Sequence, residues 1–495
     1  MTALARAIAR PTPVAGFGDR SPLHGLERRT IGVVDLAAQS VAAVAPAAAA
    51  TTVVLLVAGM APGATVAAIV AAAVLSFGVA RTVSQFARRF AAAGALYTYT
   101  ARGLGERAGL AAGAAIVVGY AAIAMFALLG GAYYLGYLLH GLWPGLDRGT
   151  TMTVAVLAEA AFVAVVLVSG IRLSARVALV VEALSVALIV VLLAVLLLFI
   201  GPADIVAAVA PGPVDPVALA AGAVVALTAF VGFESAATLG VESVAPLRNV
   251  PRAITGTVLI SGAVYVLAAV TQVSGFHALG LDLAASASPV NDLAGAFGLG
   301  PWGVAADIGI AASFLACAIG TMTALVRVLF AMSRDGVLPA SLGRTHPRLR
   351  TPIAATAAAL PVVAAVPVVL ALVGVDAREA MQATLAVGAT GYIVAYVLVC
   401  VAAPVFLRRI GEFTIWPAVV AVVSAAALTA ALVAFLVAGS DRVGLVCVAA
   451  VGLAAVAVVV LAGRRRRSQP IGAYDEPVAA QVLGGVAPPE HRGDA

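Results

Sequence analysis

Residues 228–236 read Thr-Ala-Phe-Val-Gly-Phe-Glu-Ser-Ala, and residues 38–48 read Ala-Gln-Ser-Val-Ala-Ala-Val-Ala-Pro-Ala-Ala. Each interrupts a long apolar run near its middle. Pro46 withholds an amide donor and crowds the carbonyl four residues back, which kinks or breaks a helix. Gly232 frees the backbone and lets helices approach closely. Glu234, two residues on, places a carboxylate where a charge costs about 3 kcal/mol and therefore faces a cavity or a partner. Taken singly, Pro46 is equally well a packing kink and Gly232 a close helix contact. Their placement along the chain separates the readings.

Working outward, the 495 residues are 63% hydrophobic and 11% charged, with mean hydropathy +1.10. A soluble domain could not cover itself with so little charge. Runs of about 20 apolar residues cross a bilayer, and backbone groups in lipid must pair internally, so the runs are helices. They fall at 31–57, 64–87, 107–139, 150–170, 176–200, 217–241, 253–276, 302–331, 353–374, 380–406, 415–438 and 442–462, about twelve spans. The third is over-long, which implies a later start or a strong tilt. Cys317, Cys400 and Cys447 sit inside apolar runs without metal-ligand or disulfide spacing, and no His/Cys/carboxylate cluster accompanies them. No metal and no cofactor is expected.

The chain has no lysine, so all 29 basic residues are arginine. With the N-terminus inside, the outer loops carry only Arg148, Arg378 and Arg442, and the remaining arginines lie at inner helix ends, inner loops or the tails. This asymmetry orients the chain in a cytoplasmic membrane with both termini in the cytoplasm. It also checks the span count, because one missed helix would invert the alternation. Residues 1–29 lack the apolar stretch of a signal peptide and read as a cytoplasmic tail. Residues 30–463 form the membrane domain. The Arg464–Arg467 run reads as a stop-transfer flank on anionic lipid, and the rest of 464–495 as a disordered tail. The +6 charge needs no nucleic-acid partner.

The interrupted spans are the first and the sixth, five helices apart. A five-helix unit inserted twice must take opposite orientations, which is the inverted-repeat construction of secondary transporters. The expected fold is an all-α membrane protein of about twelve helices. It has a 5+5 inverted repeat over about 31–200 and 217–406, with broken helices 1 and 6, plus two extra helices.

Phe-Val-Gly-Phe-Glu-Ser-Ala-Ala-Thr-Leu-Gly-Val-Glu-Ser-Val-Ala-Pro-Leu-Arg-Asn-Val-Pro-Arg-Ala-Ile (230–254) resembles the sixth helix and following loop of the amino acid–polyamine–organocation superfamily. Arg-Val-Leu-Phe-Ala-Met-Ser-Arg-Asp-Gly-Val-Leu-Pro (327–339) resembles its eighth helix and inner loop, and Arg-Arg-Phe-Ala-Ala-Ala-Gly-Ala-Leu-Tyr-Thr-Tyr (88–99) its second-to-third connection. The resemblance implies the LeuT-type fold and transport of amino acids, amines or polyamines by proton coupling, sodium coupling or exchange.

By position it places the first unwound segment at Ala43, Val44, Ala45, Pro46 and Ala47, where family members usually carry a Gly-Ser-Gly-like triplet that binds the substrate carboxylate through its amides. Pro46 cannot donate; Ala45 and Ala47 can. In the sixth helix it gives Thr228, Ala229 and Val231 carbonyls to a substrate amine beside Gly232, with Phe230 or Phe233 as an aromatic gate. Ser185 stands where proton-coupled relatives often have a lysine, so a lysine-borne proton step is excluded.

Two acids remain as proton carriers. Glu182 lies on the same helix face as Ser185. Glu234 resembles the sixth-helix glutamate of arginine/agmatine antiporters. Bracing the bundle by hydrogen bonds is an equal reading for Glu234 and the somewhat stronger one for Glu182. Glu159 and Asp307 lie nearer helix ends, and Asp35 reads as an Arg partner or a helix cap. A sodium ion would want several oxygens, which Ser185, Thr321 and Thr323 with first-helix carbonyls near Ala43 could supply. Back-bonding to the preceding turn is the commoner fate of such hydroxyls. Arg334, Asp335 and Gly336 read as a helix end with a glycine cap, assigned to gating or folding.

A secondary transporter by alternating access is thus the expected function, proton-coupled in preference to sodium-coupled symport or exchange. A membrane enzyme lacks its nucleophile–base set, and a channel its charge rings or filter motif. A non-transporting receptor or accessory protein is the alternative of another class.

Overall fold

The computed structural model describes residues 21–210, 215–438, 441–463 and 471–475. The first span is two helices, α1 (Val33–Val44) and α2 (Pro46–Met60). There follow α3 (Thr65–Ala87), α4 (Leu96–Leu104), α5 (Glu106–Leu142), α6 (Arg148–Val168), α7 (Ile171–Phe199), α8 (Pro202–Val209) and α9 (Pro216–Thr228). After α9 the sixth span continues as a 3-10 segment, Phe233–Leu239. Then come α10 (Pro246–Leu279), α11 (Pro289–Ala296), α12 (Gly300–Arg334), α13 (Ile353–Leu372), α14 (Ala377–Arg409), α15 (Ile415–Ala438) and α16 (Asp441–Gly463). Among the described residues eleven spans are long and apolar enough to cross a membrane; the twelfth run appears as α16, whose shorter apolar part is Val446–Val460.

Two pairs of spans five apart have closely similar lengths, while the second and seventh, α3 and α10, have 23 and 34 residues. The third and eighth spans, α5 and α12, have 37 and 35 residues; the fourth and ninth, α6 and α13, have 21 and 20. A 37-residue helix is about 55 Å long, far beyond the hydrocarbon core, and α5 starts at Glu106, so it does not start late. The short α4, α8 and α11 join the spans, a level of detail that the apolar runs did not resolve. Caps stop the helices where the sequence offers them. Asp147 accepts from the Thr150 amide at 2.7 Å, and these Thr150 hydrogen bonds hold its carboxyl below the usual range. Asp35 accepts from the Gly32 amide at 2.9 Å, which makes it a cap of α1.

The first-span break is at Ala45, whose φ is +50°. Pro46 does not kink a continuous helix, as its position in the run suggested. It is the first residue of α2, where an amide would have no partner in any case and the ring's fixed φ suits the helix. The sixth-span break is at Gly232, φ +105°, where an added Cβ would lie 2.8 Å from the Ala43 carbonyl oxygen. The two breaks therefore pack backbone on backbone. The Ser40 hydroxyl donates to the Phe233 carbonyl, and the Ser235 hydroxyl to the Gln39 carbonyl at 3.4 Å.

The described ends of the chain, residues 21–31 and 471–475, meet at one end of the bundle, the terminal end. Residues 471–475 belong to the tail expected to be disordered, yet they pack against the bundle: Ile471 is buried and the Asp475 amide donates to the Ala91 carbonyl at 2.7 Å. Val244 donates to Ile31, and Thr30 and Ile31 donate to Glu242, so the start of the first span is zipped to the loop after the sixth. Beneath lies a buried bidentate pair: Arg327 Nε and Nη2 donate to the two Glu242 oxygens, each at 2.8 Å.

Gly320 on α12 is what lets the first span lie this close. A Cβ there would stand 2.7 Å from the Ala43 nitrogen and 2.9 Å from its Cα, both rigid backbone. Gly320→Ala is expected to destabilise the protein by about 2 kcal/mol through overpacking, outweighing about 1 kcal/mol of improved helix propensity. A thermal melt in detergent checks this; an unchanged or raised midpoint would contradict it.

Candidate functional site

The Ala45 break creates a helix N-terminus inside the membrane. The amides of the first turn of α2 have no helical partner, and the helix dipole makes this end attractive to an anion. Pro46 has no amide. The Ala47 amide donates to Glu182 Oε1 at 3.2 Å, and the Ala48 amide to Ser313 Oγ at 3.2 Å. Ser313 in turn donates to Glu182 Oε1 at 3.0 Å. Glu182, from the middle of α7, thus caps α2 with one oxygen. Its other oxygen is buried and has no hydrogen-bond partner among the described residues. The Ala45 amide is also occupied, donating to Val41 at 2.8 Å, so neither amide expected to be free for a substrate carboxylate is free in this state.

Beside this helix end is a small cavity of about 20 Å³, lined by Ala43, Val44, Ala45, Ala48, Thr228, Val231 and Cys317 among others. Ile123, Phe126, Phe314 and Leu385 complete an apolar wall. Phe126, Thr228 and Leu385 also line a second cavity of about 520 Å³, which continues past Met60, Tyr133 and Arg378 toward the end opposite the termini. Its size is that of an ordinary small-ligand pocket. The route to the small cavity is therefore formed on one side, while the buried Arg327–Glu242 pair blocks the other.

Glu234 is held differently. It is fully buried, and its two oxygens accept from Tyr120 at 2.8 Å and Tyr396 at 2.5 Å. Both carboxylate oxygens are satisfied and neither cavity reaches them.

A sequence profile of amino acid permeases matches residues 35–440. The chain belongs to the amino acid permease family. An uncharacterized transporter of Mycobacterium bovis is 31% identical over 307 residues, covering 59% of this chain and 63% of the relative. The branched-chain amino acid permease of Bacillus subtilis is 28% identical over 320 residues, covering 60% and 65%. A vacuolar cationic amino acid transporter of Arabidopsis thaliana is 31% identical over 141 residues, covering 28% and 22%. The match thus spans less than two thirds of these relatives, all transporters or permeases by name rather than enzymes.

Within this amino acid permease scaffold, the expected site residues divide. Ala43, Val44, Ala45, Thr228 and Val231 line the small cavity; Pro46 and Ala47 stand at the helix end beside it. The Ala229 carbonyl is taken by the Tyr265 hydroxyl at 2.6 Å. Phe230 packs edge-on against Tyr265 and Phe233 stacks on Tyr396, and neither lines either of these two cavities; the aromatic residues of the small cavity are Phe126 and Phe314. Ser185 and Thr321 donate to the preceding turn, to Val181 at 2.8 Å and Cys317 at 2.6 Å. The Thr323 hydroxyl has no hydrogen-bond partner among the described residues. Asp307 accepts from Ser288 and Asn291, each at 2.6 Å, and Glu159 presses on Gly131, both away from the small cavity.

Ser313, Tyr120 and Tyr396 belong to no motif in the sequence, and Cys317 reads there only as one of three cysteines inside apolar runs. The one signal for the tyrosines is their place mid-span, away from the interfacial belt where membrane tyrosines concentrate. Removing either hydroxyl strands a buried carboxylate oxygen. Tyr120→Phe and Tyr396→Phe are each expected to cost about 1–2 kcal/mol in detergent denaturation, with the double variant deviating from additivity. Wild-type midpoints in both would contradict the pairing.

Proposed function

We propose that the chain is a secondary carrier that moves an aliphatic amino acid together with a proton by alternating access around the Ala45 break. The observation that carries this reading is Glu182: one oxygen caps α2 and the other is buried without a partner, beside a cavity with an apolar wall. An ionised Glu182 and a substrate carboxylate compete for the same helix end, and two adjacent negative charges repel. A protonated Glu182 removes the repulsion and loosens its hold on the Ala47 amide, which then serves the substrate carboxylate. Binding of substrate and proton is thereby coupled, each favouring the other by linkage.

The apolar lining of Ile123, Phe126, Phe314 and Leu385 suits an aliphatic side chain, in keeping with the branched-chain amino acid permease among the relatives. No carboxylate lines the small cavity to pair with a basic side chain. Sodium is the weaker reading because none of Ser185, Thr321 and Thr323 lines the small cavity beside the break, and a hard cation wants several oxygens in one shell. The arginine asymmetry sets the terminal end in the cytoplasm, with the protein in the cytoplasmic membrane. Glu234, held by two tyrosines, braces the sixth-span break and carries no proton in the cycle.

Uptake of isoleucine into proteoliposomes tests this. With one proton per substrate, an inward gradient of about one pH unit supports about tenfold accumulation without sodium. Glu182→Gln is expected to abolish accumulation while retaining counterflow. A strict sodium requirement, or undiminished accumulation in Glu182→Gln, would overturn the coupling assignment.

A further inference from the structure

The terminal end holds a short segment, Ile471–Asp475, far along the chain from everything it touches. Its backbone is read almost completely. The Gly472 amide donates to Asp335 Oδ2 at 2.6 Å and the Ala473 amide to Asp335 Oδ1 at 3.2 Å. The Gly472 carbonyl accepts from Arg102 Nε at 2.9 Å. Tyr474 forms an antiparallel bridge with Ala92, and the Asp475 amide donates to the Ala91 carbonyl at 2.7 Å.

The side chains are read as well. The Arg102 guanidinium lies 4.6 Å from the Tyr474 ring centroid, a cation–π contact. The Asp475 carboxylate is fully buried and accepts from Arg28 at 2.8 Å, Arg29 at 2.7 Å and Ser21 at 2.8 Å. Gly472 has φ +88°, and a Cβ there would lie 2.9 Å from that of Ala101. The groove therefore selects glycine at the bend of position 472, an aromatic residue at 474 and an acid at 475.

We propose that this groove is a peptide-binding site whose resident ligand is the chain's own 471–475 segment, and that the bound segment clamps the terminal end shut. The elements that it joins are those that meet over the blocked side of the small cavity. Arg29, which holds Asp475, also donates to the carbonyls of Gly240 and Ser243, each at 3.3 Å, after the sixth span. Residues 30 and 31 are zipped to the same loop. Asp335 ends α12, and Tyr97 of α4 donates to it at 2.6 Å. The segment thus ties the starts and ends of the first, sixth and eighth spans to the second-to-third connection. Charge-assisted hydrogen bonds of this kind are about twice as strong as neutral ones, and a tethered ligand acts at high effective concentration. Release of the segment is the step that permits these elements to part.

Backbone hydrogen exchange in nanodiscs reads the clamp without any transport measurement, so it stands or falls independently of the carrier reading. In a chain ending at Pro470, which keeps the Arg464–Arg467 flank, exchange at the Thr30, Ile31 and Val244 amides is expected to rise about tenfold, the effect of losing one strong polar contact. A synthetic peptide of residues 468–480 should restore protection, and the same peptide with Asp475→Asn should not. Should the shortened chain fail to fold, full-length Asp475→Asn is expected to show the same faster exchange at those amides. Unchanged exchange in a folded shortened chain or in Asp475→Asn, or equal rescue by both peptides, would overturn the proposal.

Discussion

A helix that ends inside a bilayer leaves amides and carbonyls that lipid cannot satisfy, and the fold is arranged around meeting that demand at Ala45. The amides of α2 are met by Glu182 and Ser313, from α7 and α12. On the other side of the break, the Ala43 carbonyl accepts from the Cys317 thiol at 3.3 Å. Gln39 and Gln272 place their amide groups on the carbonyls of Gly320 and Ala50, at 2.7 and 2.8 Å. A break satisfied by groups from other helices can be satisfied differently when those helices move, which a continuous helix cannot do.

The two ends of the bundle are unlike each other. Toward the end opposite the termini, an open cavity leads to the break. Toward the terminal end, the Arg327–Glu242 pair, the Ile31–Ser243 bridge and the 471–475 segment lie in successive layers over it. Buried pairs of this type do little for net stability but are costly to break singly, which suits a seal that opens as a unit. The structure is one state of a molecule whose parts are grouped for two.

Spans, their order and the existence of both breaks were legible because they depend on local composition. The run at 217–241 became Pro216–Leu239, and the run at 353–374 became Ile353–Leu372. The break residues were harder. Whether Pro46 kinks a helix or begins one turns on the φ of Ala45, which no neighbouring residue announces. Phe230 or Phe233 was expected as an aromatic gate, and in this state both pack on tyrosines; a broken helix loses the 3.6-residue periodicity by which a face is read. Tyr120, Tyr396 and Ser313 come from spans distant in sequence, so their meeting with Glu234 and Glu182 was not visible. Residues 471–475 lie in a tail rich in proline, glycine and charge, a composition that signals too little apolar surface to fold alone. They are ordered by partners elsewhere, chiefly Arg28, Arg29 and Asp335.

The most direct measurement is substrate-induced infrared difference spectroscopy on the protein in nanodiscs, with isoleucine as ligand and Glu182→Gln as control. If the substrate carboxylate takes the α2 helix end from Glu182, binding should bring up a protonated-carboxyl band that shifts in heavy water and is missing from Glu182→Gln. Saturating binding without that band, or a band that persists in Glu182→Gln, would contradict it.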